Sequence, residues 1–462
     1  ASGEVLRTVA RAALEQRLLP MVEADVRLEL KERADHEALR FLPQPLRQVL
    51  LTPPAGRHPV VGLDVSAKGD WTFAVLDENG ELRGGEVTFQ PADKSVEQLA
   101  AEVKQAFEGL RVRAVAVGHG KGSRGVVPKL REVLAAGGVD AFVFIVNDAG
   151  LSSYANSELA RKELTDCSIA MRMAISLGRR LQDPCQEFLK VDPRHLGLGA
   201  EQGLVSKANL RRVFEETMES CAALVGCDVN RAPASFMQHL PGLSAEKAEQ
   251  IVARRKERPI ESREELRESG LLSVAEWTSA VAFLRVHGSS EPLDHTNLHP
   301  ETYPLARRIL EAAGTSVAAG LGRPGVTKGM RRADFDIDPS TWRDLMRELT
   351  QPGRDPRPRL WIPELLPANT DKLRLTQGRV VEGMITNVTN FGAFVDLGLP
   401  HDGMIHVSEC SQRYVRDARE TLSVGQIVRA RILDGNPQRI PLSLKDVPDR
   451  ERPPRGGGGR RT

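Results

Sequence analysis

Three groups of residues in this 462-residue chain have the types and spacing to do chemistry. The first is Phe391, Phe394 and His406. Through residues 383–396 apolar and polar side chains alternate until Asn390, where the pattern slips around Phe391-Gly392. A strand pair with a kink explains the slip and lets Phe391 and Phe394 reach one face. A later strand through Gly403-Met404-Ile405-His406-Val407-Ser408 brings His406 beside them. Unpaired bases stack on such rings at roughly 1–3 kcal/mol per base. The second group is the turn Leu240-Pro241-Gly242-Leu243-Ser244, followed by a helical pattern from Ala245 to about Arg255. Glycine permits the tight turn, and amides exposed at the following helix start can hold a phosphate oxygen whatever the base. Lys247, Arg254, Arg255 and Lys256 supply charge beside it, and Gly270-Leu271-Leu272-Ser273 reads as a weaker second copy. The third group is a pair of carboxylates: Asp64, closing an apolar strand, and Asp148 in Val146-Asn147-Asp148-Ala149-Gly150. Carboxylates at strand ends can hold metal ions that activate water. Residues 111–131 contain no Asp or Glu, however, and present Gly118-His119-Gly120-Lys121-Gly122-Ser123-Arg124-Gly125, which reads as a flexible basic loop for phosphate. It is not a P-loop, and Asp166 and Asp183 lie farther on.

Each group has a plainer reading. Two Phe residues alone are more often core, a Pro-Gly turn between helices is more often only a turn, and scattered acids are more often caps.

The elements that must position these groups follow from periodicity. Strong helix formers from residue 3 to about 51 place Leu14, Leu18, Val22 and Val26 at helical spacing, which predicts a helical bundle segment over 1–55. Thr52-Pro53-Pro54-Ala55-Gly56 breaks it. Residues 56–185 carry short apolar runs at 60–65, 71–76, 111–118 and 141–146, with helical patterns over 96–107 and 126–134, so an α/β domain is expected. Residues 155–290 show amphipathic helices punctuated by Pro and Gly and no convincing strand; an all-α block with tandem hairpins is expected over 186–287. Residues 288–372, rich in Pro, His and turn residues with a helix over 339–349, read as a small connector domain. Alternation returns over 373–447, and 448–462 reads as a disordered basic tail.

The length suggests about three to four compact units, and 40% hydrophobic with 27% charged residues is ordinary for globular domains. No apolar run approaches the roughly 18 residues of a membrane helix, so no membrane insertion is expected. Cys167, Cys185, Cys221, Cys227 and Cys410 form no CxxC pair, which argues against disulfides or a zinc site and fits a reducing cytoplasm. With a net charge of only +2, nucleic-acid affinity must come from locally basic surfaces. The first residue is Ala within a helical pattern, which reads as a fragment. No metal, no cofactor and a monomer are expected.

Residues 373–447 resemble the S1 type of OB-fold RNA-binding domain over their whole length, from Gly378-Arg379-Val380 through Val424-Gly425-Gln426-Ile427-Val428 to Ile440-Pro441-Leu442-Ser443-Leu444. The resemblance implies a ring platform of Phe391, Phe394 and His406 and a basic contact at Arg439. The last hairpin looks short, and Pro441 should lose one ladder hydrogen bond, which predicts an edge strand. The turn Gly242-Leu243-Ser244 resembles a helix-hairpin-helix that grips DNA backbone with Lys247 and Arg254, and Asp228-Val229-Asn230-Arg231-Ala232 resembles the phrase that opens such double hairpins. Val61-Gly62-Leu63-Asp64-Val65-Ser66, followed by the run 71–76, resembles the opening of an RNase H-like fold.

In order, these modules resemble the Tex family of bacterial transcription accessory proteins, without that family's N-terminal helix-turn-helix region. The phrases that carry it are Gly62-Leu63-Asp64, Asp148-Ala149-Gly150-Leu151-Ser152-Ser153-Tyr154-Ala155, Arg179-Arg180-Leu181-Gln182-Asp183-Pro184, Val229-Asn230-Arg231-Ala232, His299-Pro300-Glu301-Thr302-Tyr303-Pro304, Pro352-Gly353-Arg354-Asp355-Pro356-Arg357-Pro358 and Thr386-Asn387-Val388-Thr389-Asn390-Phe391-Gly392-Ala393-Phe394-Val395-Asp396. The resemblance implies a multidomain protein: a YqgF-type RNase H-like α/β domain, an all-α helix-hairpin-helix block, and an OB-fold β-barrel. It implies a cytoplasmic factor that binds RNA and DNA. Asp64-Val65-Ser66 stands where the family has Asp-Pro-Gly, Gly125 where it has Glu, and Asp148 where it has Glu, so the suspected catalytic set is eroded. A non-catalytic binding factor is therefore expected. The alternatives are a metal-dependent nuclease or resolvase around Asp64 and Asp148, and a scaffold for RNA polymerase or the ribosome.

Overall fold

The computed structural model describes residues 2–107, 112–139, 141–358, 360, 376–397, 399, 402–422, 426–434 and 440–447. They divide into two units, one drawn from 1–53 and 184–358 and the other from 54–183 and 359–462.

The first unit is helical. Helices Ser2–Ala13 and Leu19–Phe41 are joined by a π-helical turn over Leu14–Leu18. Pro20 explains that turn: it has no N–H for the carbonyl four residues back, and the helix widens just ahead of it. The helical spacing holds, but the expected bundle does not. None of these residues is buried, and Leu14, Leu18, Val22 and Val26 are 46%, 52%, 56% and 48% exposed. Burial starts at Pro43–Leu50, where Leu46 and Leu50 pack toward helix Lys207–Val225. Cys227–Asp228 then pairs in parallel with Leu284–Arg285, a two-residue ladder too short to show as a periodic pattern. Buried Arg263 fastens this block: its guanidinium donates to the carbonyls of Leu284, Thr296 and Leu298 and to the Tyr303 hydroxyl at 2.7–2.8 Å. Tyr303 in turn donates to Asp294 at 2.8 Å. The residues expected as a connector hold a core of their own, with Leu298, Ile309, Leu310, Leu345 and Leu349 buried between helices Tyr303–Ala312 and Pro339–Thr350.

The second unit contains a five-stranded sheet and a closed barrel. The sheet strands are β1 Val60–Val65, β2 Trp71–Leu76, β3 Val87–Phe89, β4 Ala114–Gly118 and β5 Phe142–Val146, in the order β3-β2-β1-β4-β5. β2 and β3 run antiparallel to their neighbours, while β1, β4 and β5 are parallel. Three-residue β3 is the strand that periodicity missed. One face is covered by helices Val96–Ala106 and Lys121–Ala136, the other by Ile169–Gln182, so both faces read as apolar runs. At Gly62 a Cβ would stand 1.7 Å from the Ala174 carbonyl oxygen, so only glycine lets β1 lie against Ile169–Gln182.

The barrel closes in the order Gly403–His406, Ile440–Ser443, Ile427–Ile432, Val380–Val388, Gly392–Asp396. The expected kink resolves into a register shift between Ile385 and Asn387 and a turn in which the Thr389 amide donates to Gly392 at 2.8 Å. Pro441 is not on an edge. Its strand lies between two others, facing Met404 on one side, and its carbonyl accepts the Leu433 amide at 2.9 Å. A closed barrel has no edge strand, so the lost N–H is tolerated inside the ladder.

Candidate nucleic-acid interface

In the strand Gly392–Asp396, alternation turns Ala393 and Val395 into the barrel and Phe394 outward. Antiparallel register sets Met404 opposite Phe394 and His406 opposite Gly392, and the Val407 amide donates to the Phe391 carbonyl at 2.8 Å. The three predicted ring residues are thus brought to one end of one strand pair. Phe391 is 47% exposed, Phe394 half-buried and His406 exposed. The phenyl rings stand edge to face, centroids 6.5 Å apart and planes at 89°. They offer two crossed surfaces and not one flat plate, so a base stacked on one ring meets the other edge-on. Nδ1 of His406 lies 2.9 Å from the Ser408 hydroxyl and accepts the Ser408 amide at 3.3 Å, which ties the ring to the turn that follows its strand. Arg439 lies outside the described residues.

The first hairpin is built as predicted but uses its groups differently. Gly242 has φ +78°, and a Cβ there would meet the Ser279 Cβ at 2.6 Å, so glycine serves both the turn and the approach to helix Val274–Ala280. Leu243 is buried and its amide is taken by the Leu240 carbonyl at 3.1 Å, so it anchors the turn. Ser244 caps helix Ala245–Glu257 by accepting the Lys247 amide. Lys247 spends its ammonium on the Leu271 carbonyl at 2.6 Å, and Arg254 spends its guanidinium on Glu265 at 2.9 Å. Among the described residues the Ala245 and Glu246 amides, at the start of this helix, take no hydrogen-bond acceptor. At the second hairpin Ser273 and Glu276 form a reciprocal cap, so the Glu276 carboxylate sits where a phosphate would.

The carboxylates Asp64 and Asp148 do come together. Because β1, β4 and β5 are parallel, their C-terminal ends share one edge, where ligands of open α/β sheets gather. Asp64 stands near the end of β1, and Asp148 follows β5. Burial pushes the Asp64 carboxyl up to about 6; the Val65 amide opposes this and Asp148 adds to it. Residues 118–125 are not a flexible loop. Helix Lys121–Ala136 begins inside them, five residues earlier than the apolar pattern shows, and Gly120 donates its amide to Asp148 Oδ2 at 2.8 Å. The side chains at 121–124 lie outside the described residues. Asp148 is thus engaged by a backbone amide at the start of this helix. Among the described residues no three His, Cys, Asp or Glu side chains are grouped to hold a metal ion. Asp64 and Asp148 thus stand as a pair of acids at this edge, with the amide bond leaving Oδ1 of Asp148 open among the described residues.

Several residues escaped sequence reasoning. Buried Arg180 donates to the carbonyls of Asn147 and Ala149 at 2.8 and 2.9 Å and so shapes the turn that carries Asp148. Arg323 and Lys328 are exposed among three positive-φ glycines, Gly322, Gly325 and Gly329, and make no ion pair among the described residues. Tyr414 is 89% exposed. The density of glycine and charge is the signal that could have found Arg323 and Lys328, but nothing local distinguishes Tyr414 from a core ring.

Residues 58–182 match the family described as Tex protein YqgF-like domain, 222–285 the helix-hairpin-helix motif, 291–357 an HHH domain and 374–445 the S1 RNA binding domain. The supposed connector thus coincides with an HHH domain match. The chain is 32% identical over 448 residues to the transcriptional accessory protein Tex of Neisseria gonorrhoeae, covering 95% of this chain and 59% of that protein. It is 33% identical to protein YhgF of Escherichia coli, covering 96% and 59%, and 34% identical to protein tex of Bordetella pertussis, covering 99% and 58%. The chain therefore spans about three fifths of the length of these relatives.

Proposed function

As a homologue of the Tex proteins that carries a Tex YqgF-like domain, HHH regions and an S1 RNA binding domain, the chain acts, we propose, as a non-catalytic nucleic-acid-binding accessory factor of transcription in the cytoplasm. The observation that carries the reading is the exposed Phe391 ring beside Phe394 and His406 on the barrel. Rings of this kind stack bases of any identity, so the barrel grips single strands with modest sequence preference. The turn Gly242-Leu243-Ser244 presents amides to backbone phosphate, with Lys247 and Arg254 holding the turn in shape. Phe391→Ala with Phe394→Ala should weaken single-stranded RNA binding about ten-fold or more, at roughly 1–3 kcal/mol per stacked base. Unchanged affinity in a fluorescence titration sinks the assignment.

The shared strand edge that holds Asp64 and Asp148 favours a second reading, a metal-dependent nuclease. Incubation with labelled RNA and branched DNA in magnesium or manganese decides between the two. Cleavage abolished by Asp64→Asn overturns the non-catalytic reading.

A further inference from the structure

Between His406 and Ala418 the chain leaves the barrel ladder as a loop, and both ends of that loop are fastened beside Phe391. At one end the Val407 amide donates to the Phe391 carbonyl at 2.8 Å; at the other the Ala418 amide donates to the Asn390 carbonyl at 3.4 Å, with Ala418 fully buried. Glu409 pins the middle, accepting the Leu444 amide at 3.0 Å and the Ser443 hydroxyl at 2.5 Å, and Gln412 reaches Asp446 at 3.1 Å. What projects is the stretch 413–416. Tyr414 is four residues from the Ala418 anchor, so its Cα lies within about 14 Å of it at full extension. Its ring is 89% exposed, the largest value among the exposed large hydrophobic side chains described. Arg413 and Arg416 on either side are exposed, and neither makes an ion pair among the described residues. An aromatic flanked by unpaired guanidiniums is the composition of a single-strand groove, in which rings take bases and cations take phosphates.

We propose that Arg413, Tyr414 and Arg416 form a second contact for single-stranded nucleic acid, continuing the path that begins at Phe391 and Phe394. Tyr414 stacks on one further base, and the two arginines neutralise the phosphates that flank it. The proposal rests on the reading of the barrel as a single-strand platform and lengthens its footprint.

The test uses the full chain with fluorescent oligouridylates of about four and about twelve nucleotides, lengths that bracket the footprint of one OB fold. Tyr414→Ala should weaken binding of the longer strand at least about five-fold, leave the shorter unchanged, and be rescued by Tyr414→Phe. Arg413→Ala with Arg416→Ala should reduce the salt slope of log K on the longer strand by about 1.4, at roughly 0.7 per phosphate contact. Equal losses on both lengths, no loss on either, or an unchanged slope overturns the proposal. Phe391→Ala with Phe394→Ala separates the two claims, because it should weaken both lengths. If it weakens neither, the platform itself fails; if it weakens both while Tyr414→Ala does not discriminate, only the extension fails.

Discussion

Replacing Asp64 with Asn tests the electrostatics of the α/β domain directly. Asp64 is 8% exposed near the end of β1, and its carboxyl is pushed from an ordinary 3.8 up to about 6, first by burial and then by Asp148, against the lowering effect of the Val65 amide. The folded state therefore holds this proton more tightly than the unfolded chain does. That contribution to stability is fully present below pH 3.8 and is lost as pH rises through about 6. A rise of about two units at roughly 1.4 kcal/mol each makes the ionised group cost on the order of 3 kcal/mol at pH 8. Asp64→Asn keeps the shape and removes the charge. The variant should match the native protein near pH 4 and exceed its stability by up to about 3 kcal/mol at pH 8. Hydrogen exchange of the peptide spanning β1, measured from pH 5 to 8 and corrected for intrinsic rates, reads this domain's opening free energy separately from the rest of the chain. A variant no more stable than the native protein at pH 8, or a difference that does not shrink toward pH 5, would refute the account.

Other outcomes follow from contacts already described. Gly242→Ala, at φ +78° and with a Cβ 2.6 Å from that of Ser279, should destabilise the helical unit by about 2–4 kcal/mol in urea unfolding, combining left-handed backbone cost and overpacking. Arg263→Met strips the buried donors from Tyr303 and three carbonyls and should cost about 3–5 kcal/mol; Arg263→Lys should not restore it, since an ammonium lacks the guanidinium's fork. Lys247→Ala should lower stability by about 1 kcal/mol through loss of its bond to the Leu271 carbonyl while leaving the salt slope for duplex DNA unchanged. A slope reduced by about one returns Lys247 to the phosphate interface.

Sequence patterns reached the elements whose periodicity is strong. The strands at 60–65 and 71–76 lie where the apolar runs end, because both faces of that sheet are covered and every residue of those strands reads as apolar or small except Asp64 and Thr72. Patterns failed where a contact from elsewhere decides. The start of Lys121–Ala136 carries no apolar stripe, so its first turn looked like loop; Asp148, 28 residues away, caps it. Leu14, Leu18, Val22 and Val26 share helical spacing, yet periodicity specifies a face and not what covers it. The ring residues Phe391, Phe394 and His406 were legible because a hairpin puts them together within sixteen positions, whereas the tethering of Lys247 and Arg254 depends on carbonyl and carboxylate partners that no spacing rule reveals.

The bond from Gly120 to Asp148 has a consequence for how the α/β domain meets a polyanion. A carboxylate tethered to the same sheet competes for that amide at an effective concentration no dissolved phosphate can match. Backbone of RNA or DNA arriving at this helix start must exchange with a resident ligand, and the exchange returns little net free energy. That bond makes this helix start a poor site for a further phosphate oxygen.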